Sequence, residues 1–284
     1  MRVSTGQIFN LGLESMQKHS VDVMNYQTQI SSGNKYQHAS DSGLAAGLGV
    51  QVQLNKSQFE MFKINQDHLS ATYASSETEI QSINNMLIRA QQLMVQAGSD
   101  AIGAQGRSAV ATELASLKVA IAQAVDAKDA NGQAIFKSSI DQIQAAPHIT
   151  LDSGILKTDV TNFNDSSQPS TTTTIDRLMG AVIDQLNGKS APPSGPTAKQ
   201  TDDMAAALKQ INQTLVKVGV LTNRLDGATQ MAETQKTNVE TERSQLLETD
   251  LATATAGLAK SNALLSAAQS IMAKMDINTL FQKL

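Results

Sequence analysis

Between Leu48 and Ala97 the chain places side chains at alternating steps of four and three residues. The series is Leu48, Val52, Asn55, Phe59, Phe62, Gln66, Leu69, Tyr73, Ser76, Ile80, Ile83, Leu87, Ala90, Met94 and Ala97, and twelve of the fifteen are apolar. The spacing predicts one helix of about fourteen turns. A 3.5-residue repeat held this long makes a narrow stripe that must lie against other long helices, because one helix cannot bury its own seam.

A thinner seam precedes it: Phe9, Leu13, Met16, Ser20, Val23, Gln27 and Ile30, on a segment otherwise rich in Gln, Ser and Asn. A helix with so little apolar surface needs packing partners to persist. Ser31-Ser32-Gly33-Asn34 reads as a C-cap and turn, and Ser40 or Asp41 is placed to cap the long helix. Gly98, Gly103 and Gly106 bound a short loop before a further helix with Val110, Leu114, Leu117, Ile121 and Val125 on one side. Asp129-Ala130-Asn131-Gly132 then predicts a turn into extended chain.

Residues 138–174 change character. Ile149-Thr150-Leu151 and Ile155 to Val160 predict two short strands about Asp152-Ser153-Gly154, and 162–174 is a polar, low-complexity edge. Ile175 to Leu186 is a short amphipathic helix, and Pro192-Pro193-Ser194-Gly195-Pro196 is a semi-rigid linker. From Asp202, a candidate N-cap, a helix carries Leu208, Ile211, Leu215, Val218 and Leu225 past Leu246. A last seam follows in a new register: Leu251, Ala254, Leu258, Ser261, Leu265, Ala268, Met272, Met275.

The layout is palindromic, and the expected fold class follows from it. The chain should be mainly α, an elongated antiparallel helical bundle or coiled coil of paired N- and C-terminal segments, with a small β-containing inserted domain. The expected divisions are 1–44, an assembly helix and turn; 45–137, the first half of a stalk; 138–174, the insertion; 175–201, a short helix and linker; 202–245, the second half; and 246–284, a second assembly helix. The insertion is expected to be expendable by comparison with the terminal seams, so that deleting 148–165 would spare export.

Composition sharpens this picture. Aromatics make up 3% of the 284 residues and Trp is absent, which favours slender helix packing over a compact aromatic core. All five prolines lie between Pro147 and Pro196, leaving both flanks free of helix breakers. The net charge of −4 and the absence of a Lys/Arg cluster argue against nucleic acid as a partner. No run approaches a membrane span, and the first residues lack the apolar core of a secretory signal, so no membrane association is expected and any export would use another route. Without cysteine there is no disulfide or thiolate chemistry.

No catalytic constellation is found. His19, His38, His68 and His148 stand far apart and without a zinc-ligand spacing. Gly43-Leu44-Ala45-Ala46-Gly47-Leu48-Gly49 lacks the Lys-Ser/Thr of a phosphate loop, and close helix approach is the expected use of its glycines. The acids at 202–203 and 240–250 read as a solvated helix face. No cofactor, metal site or enzymatic activity is expected. The Met pair 272 and 275 suits either seam filling or an adaptable contact surface.

With its ends matched in this way, the sequence resembles the flagellin superfamily, and within it the hook-associated members. The matching segments are Met1-Arg2-Val3-Ser4-Thr5 with Phe9, Gln29-Ile30-Ser31-Ser32-Gly33 followed by Ala39-Ser40-Asp41, Arg89 to Ala97, Asp129 to Phe136, Val218-Gly219 with Asn223-Arg224-Leu225, Asp250-Leu251, Leu258 to Leu265, and Leu280 to Leu284. Asn34-Lys35-Tyr36 and Ser42-Gly43 depart from the family pattern, and 138–174 has no counterpart.

The resemblance implies a non-enzymatic subunit of the bacterial flagellum, located outside the cell at the hook–filament junction. It implies export without a cleaved signal peptide, a cytoplasmic export chaperone at the C-terminal helix, and a homo-oligomeric ring between the other hook-associated junction protein and flagellin. Terminal helices of this kind would fold on assembly. The expected assembly interface is Phe9, Leu13, Met16, Val23 and Ile30 with Leu258, Leu265, Met272 and Met275. Flagellin itself, a non-flagellar secreted coiled-coil adaptor and an enzyme sited in the insertion remain as alternatives.

Overall fold

The computed structural model describes residues 5–99, 101–168, 170–189 and 194–281. In chain order the elements are α1 (Thr5–Ser32), α2 (Gly43–Ala97), α3 (Ala104–Val125), β1 (Phe136–Lys137), β2 (Gln142–Ala146), β3 (Ile149–Asp152), β4 (Ile155–Leu156), α4 (Lys157–Thr161), β5 (Asn162–Asn164), β6 (Thr172–Thr174), α5 (Ile175–Leu186), α6 (Ala198–Leu247) and α7 (Leu251–Phe281). The molecule is mainly helical, its N- and C-terminal helices pair, and a small β-containing insert lies between them in sequence. Two compact units are formed, Met1–Ser57 with Gln235–Leu284, and Gln58–Thr234.

The unit Gln58–Thr234 is built on the seam of α2. From Phe62 to Ala97 every seam position is buried, including the polar Gln66 and Ser76. α6 brings Met204, Ala207, Ile211, Val218, Leu221 and Leu225 to the same core, α3 brings Val110, Leu114 and Ile121, and α5 brings Leu178, Met179 and Val182. Gln66 is tolerated because its side-chain amide donates to the carbonyl of Ala145 at 2.6 Å, while Asn65 donates to Gln144 at 2.8 Å. Tyr73 reaches the carbonyl of Asp152 in the same way. Three polar side chains of α2 thus donate to backbone carbonyls of the insert, and the Gln66–Ala145 bond among them is buried.

The insert differs from its expected form. Ile149–Asp152 pairs backward with Gln142–Ala146 as an antiparallel hairpin, because Pro147-His148 makes the turn, with His148 at φ 62°. Ile155–Leu156 pairs in parallel with Phe136–Lys137, and 157–161 is a turn of helix, not strand. Ser153, 1% exposed, exchanges backbone and hydroxyl hydrogen bonds with Asp141 and so closes the hairpin where a turn between strands was expected. The polar stretch 162–174 carries a second hairpin, β5 with β6. Nor is the insert separable: Leu151, Ile155, Val160 and Phe163 all belong to the common core, so deletion of 148–165 removes four of its residues.

Two helix starts also move. α2 begins after Ser42, whose hydroxyl accepts from Ala45 at 3.2 Å, whereas Asp41 turns back to accept from Gln37 and His38. α6 begins after Thr197 in a capping box: Thr197 N–H donates to Gln200 Oε1 at 2.8 Å and Gln200 N–H to Thr197 Oγ1 at 3.3 Å. Asp202 is therefore inside the helix. Gly43 and Gly47 face open space, so close helix approach is not their use. In the linker before α6, an added Cβ on Gly195 would lie 2.9 Å from Gly98 Cα, so there the linker backbone passes close to the end of α2.

Candidate assembly surface

The expected interface residues all fall on α1 and α7, which pack along each other. Their direction is set by two contacts. A Cβ built on Gly12 would lie 2.6 Å from Met272 Sδ, and one on Gly257 would lie 2.5 Å from Cζ of Tyr26. Residue numbers rise along α1 as they fall along α7, so the helices are antiparallel.

The seam of α7 is covered over part of its length, and its first residue, Leu251, is exposed. Ala254 and Ser261 are buried, and Leu258, Leu265, Ala268 and Met272 are half-buried. The seam of α1 is only partly used. Met16, Val23 and Ile30 are half-buried, whereas Phe9 and Leu13 are each 42% exposed. The face of α1 that meets α7 is rotated toward Gly12, His19 and Tyr26. An apolar count cannot find this face, since a glycine beneath a knob adds nothing to hydrophobicity. The side chain of Met275 lies outside the described residues.

The rotation leaves apolar groups open. Leu11, Val21 and Met24 on α1 and Leu264 and Ile271 on α7 are exposed, as are Phe9 and Leu13. Each helix carries few charges, and His19 Nδ1 stands 3.7 Å from Asp22 Oδ2 on the same helix.

Both helices are anchored at their inner ends. Gly33, at φ 71°, lets α1 turn, and Gln29 closes the turn by donating to the carbonyl of Lys35 at 3.1 Å. Asp41 fixes the following loop, and the N–H groups of His38 and Gln37 hold its carboxyl below the ordinary value of 3.8. Asp250 caps α7 through Thr253 and Ala252, whose hydrogen bonds likewise lower its pKa. Among the described residues no group of three or more His, Asp or Glu could hold a metal ion.

Paired N- and C-terminal helices, a helical core unit between them in sequence and a candidate surface made by side-chain packing along α1 and α7 define the class of fold. The sequence models for the N-terminal and C-terminal helical regions of bacterial flagellin match residues 2–141 and 201–284. The chain belongs to the bacterial flagellin family, whose members are structural, non-enzymatic proteins. It is 22% identical over 147 residues to flagellar hook-associated protein 3 of Salmonella typhimurium, a match covering 52% of this chain and 46% of that protein. The matched stretch is thus less than half the length of that relative.

Two solved structures share the fold. One, described as a flagellar hook-associated protein of Vibrio parahaemolyticus, superposes with a TM-score of 0.63 at 17% identity, over 73% of this chain and all of that one. The other is the flagellar junction protein FlgL of Legionella pneumophila, with a TM-score of 0.53 at 11% identity, over 72% of this chain and all of that one.

Proposed function

We propose that this protein is a hook–filament junction subunit of the bacterial flagellum. Copies of it form a ring that joins the hook-side junction protein to the flagellin filament. The observation that carries this reading is the α1–α7 pair. It joins the two helical regions that match bacterial flagellin yet leaves Phe9, Leu13, Met24, Leu264 and Ile271 open to solvent. Two helices with one narrow shared face gain little against the entropy of ordering some sixty residues, each costing roughly 1–2 kcal/mol of backbone freedom. Neighbouring subunits supply the missing contacts, so the terminal helices become ordered as the ring forms.

Before that step the chain leaves the cell by the flagellar export route without a cleaved signal peptide, and a cytoplasmic chaperone covers α7. The names of the Salmonella and Legionella relatives support the junction reading over the filament reading. Phe9, Leu13, Met16, Val23 and Ile30 form one side of the assembly interface, with Leu258, Leu265, Met272 and Met275 on the other.

Leu265→Asp tests this directly. It puts a charge into the α1–α7 seam while leaving the core of 58–234 untouched. The variant should keep the thermal transition of that core and fail to enter the junction. Wild-type motility with full-length filaments would refute the proposal. Copy number separates the two flagellar readings: a fixed, small number per filament marks a junction subunit, and thousands mark flagellin.

A further inference from the structure

The apolar spacing of α1 and α7 does not determine how the helices slide along each other. On α7, Ala254, Ser261 and Ala268 stand seven residues apart, as do Leu258 and Leu265, and on α1 so do Met16, Val23 and Ile30. A shift of one heptad would set one stripe against the other again with almost the same burial. Something else selects the observed register.

We infer that two reciprocal glycine sockets select it. Gly12 of α1 receives Met272 of α7, and Gly257 of α7 receives Tyr26 of α1. The sockets lie at opposite ends of the pair, one on each helix, and both are filled in one register alone. Slid one heptad in one direction, Tyr26 would face Leu264 and Met272 would face His19. Slid in the other, Tyr26 would face Asp250, whose carboxylate is already engaged in capping α7. Each shifted pairing sets a bulky or charged side chain where the observed one has a hydrogen atom, and close-packed helices do not absorb such overlaps without displacement. Gly12 and Gly257 are therefore positioning residues: the apolar stripe holds the helices together, and the glycines fix where they stop.

The natural chain has no cysteine, so disulfide trapping reads the register cleanly. Interpolating between the sockets places Val23 opposite Ser261, and the two shifted partners are Ala254 and Ala268. Three double variants of the full chain are compared under mild oxidation: Val23→Cys with Ser261→Cys, with Ala254→Cys and with Ala268→Cys. The ratio of intramolecular disulfide rates reports the relative population of registers, however much of the time the helices are paired.

The Ser261 pair should close at least about tenfold faster than either shifted pair. Adding Gly257→Ala should shrink that ratio, and adding Tyr26→Ala to that chain should restore much of it, because the overlap is relieved while Met272 still fills Gly12. Equal rates for the three pairs, or a ratio indifferent to Gly257→Ala, would overturn the inference. The measurement needs no ring, so a chain that locks its register but never joins a junction refutes only the proposed function.

Discussion

The backbone N–H of Lys35 donates to the carbonyl of Leu247 at 2.8 Å, and the N–H of Thr249 donates to the carbonyl of Gly33 at 2.9 Å. The bend between α1 and α2 and the break between α6 and α7 are thereby two sides of one antiparallel bridge, Asn34 with Glu248. Arg243 and Ser244 brace the second side through the Glu248 carboxylate. Two interruptions distant in sequence form one joint.

Gly33 makes the joint possible, since its φ of 71° is a left-handed conformation that costs other residues about 1–2 kcal/mol. Nothing lies within 4 Å of a Cβ added there, so Gly33→Ala tests backbone strain without a clash. It should lower stability by about that amount. Gly47→Ala, equally free of neighbours but inside α2, should raise it by about 1 kcal/mol. Urea unfolding of both variants, followed by helical circular dichroism, checks the opposite signs.

Tyr73 should ionise late. Burial, reinforced by the charge of Asp152 and opposed by Arg224, pushes its phenol up to about 12 from an ordinary 10. A folded value above the unfolded one means that the neutral phenol stabilises the fold. That contribution is complete below pH 10 and is lost as pH rises through about 12. In a tyrosinate absorbance titration one of the three tyrosines should lag, and Tyr73→Phe should remove that lagging step. The same variant removes the hydroxyl that donates to the Asp152 carbonyl, at a cost of roughly 1–2 kcal/mol.

Asp203 should govern acid sensitivity at the start of α6. Its side chain is 6% exposed, accepts from Lys199 Nζ at 2.7 Å and takes both the N–H and the hydroxyl of Ser166. Burial raises its pKa, but these hydrogen bonds outweigh burial and the net shift is downward from 3.8. The carboxylate therefore stabilises the fold above that ordinary value, and the contribution is lost as pH falls through the lowered folded value. Asp203→Asn should cost roughly 2 kcal/mol at neutral pH and flatten the loss of stability on acidification. Thermal unfolding of both chains between neutral and acidic pH measures this.

The helices were legible because their signal is a repeat. The α2 seam persists through Gln66 and Ser76, and those polar positions are buried with the rest because the periodicity reflects geometry and not residue type alone. The strands were less legible because each is short and its partner is chosen elsewhere. Ile149-Thr150-Leu151 is a credible strand in any setting, but Pro147-His148 and the anchoring amides of Asn65 and Gln66 decide that it pairs backward. The candidate surface divides along similar lines. On α7 the covered positions from Ala254 to Met272 keep the seam's spacing while Leu251 stands exposed, and on α1 Phe9 and Leu13 lie off a contact face whose key residues, Gly12 and Gly257, are holes.

The pairing of α1 with α7 also sets an order of events. It closes a loop almost as long as the chain itself, and such closure weighs on rate far more than on stability, each doubling of loop length adding only about 0.6 kcal/mol. The hairpins β2–β3 and β5–β6 and the packing of α3 on α5 join residues much closer in sequence. Contacts of low sequence separation form first. The segment between α2 and α6 therefore reaches its native arrangement before α1 and α7 find each other, and the contacts of largest sequence separation are the last native ones to form.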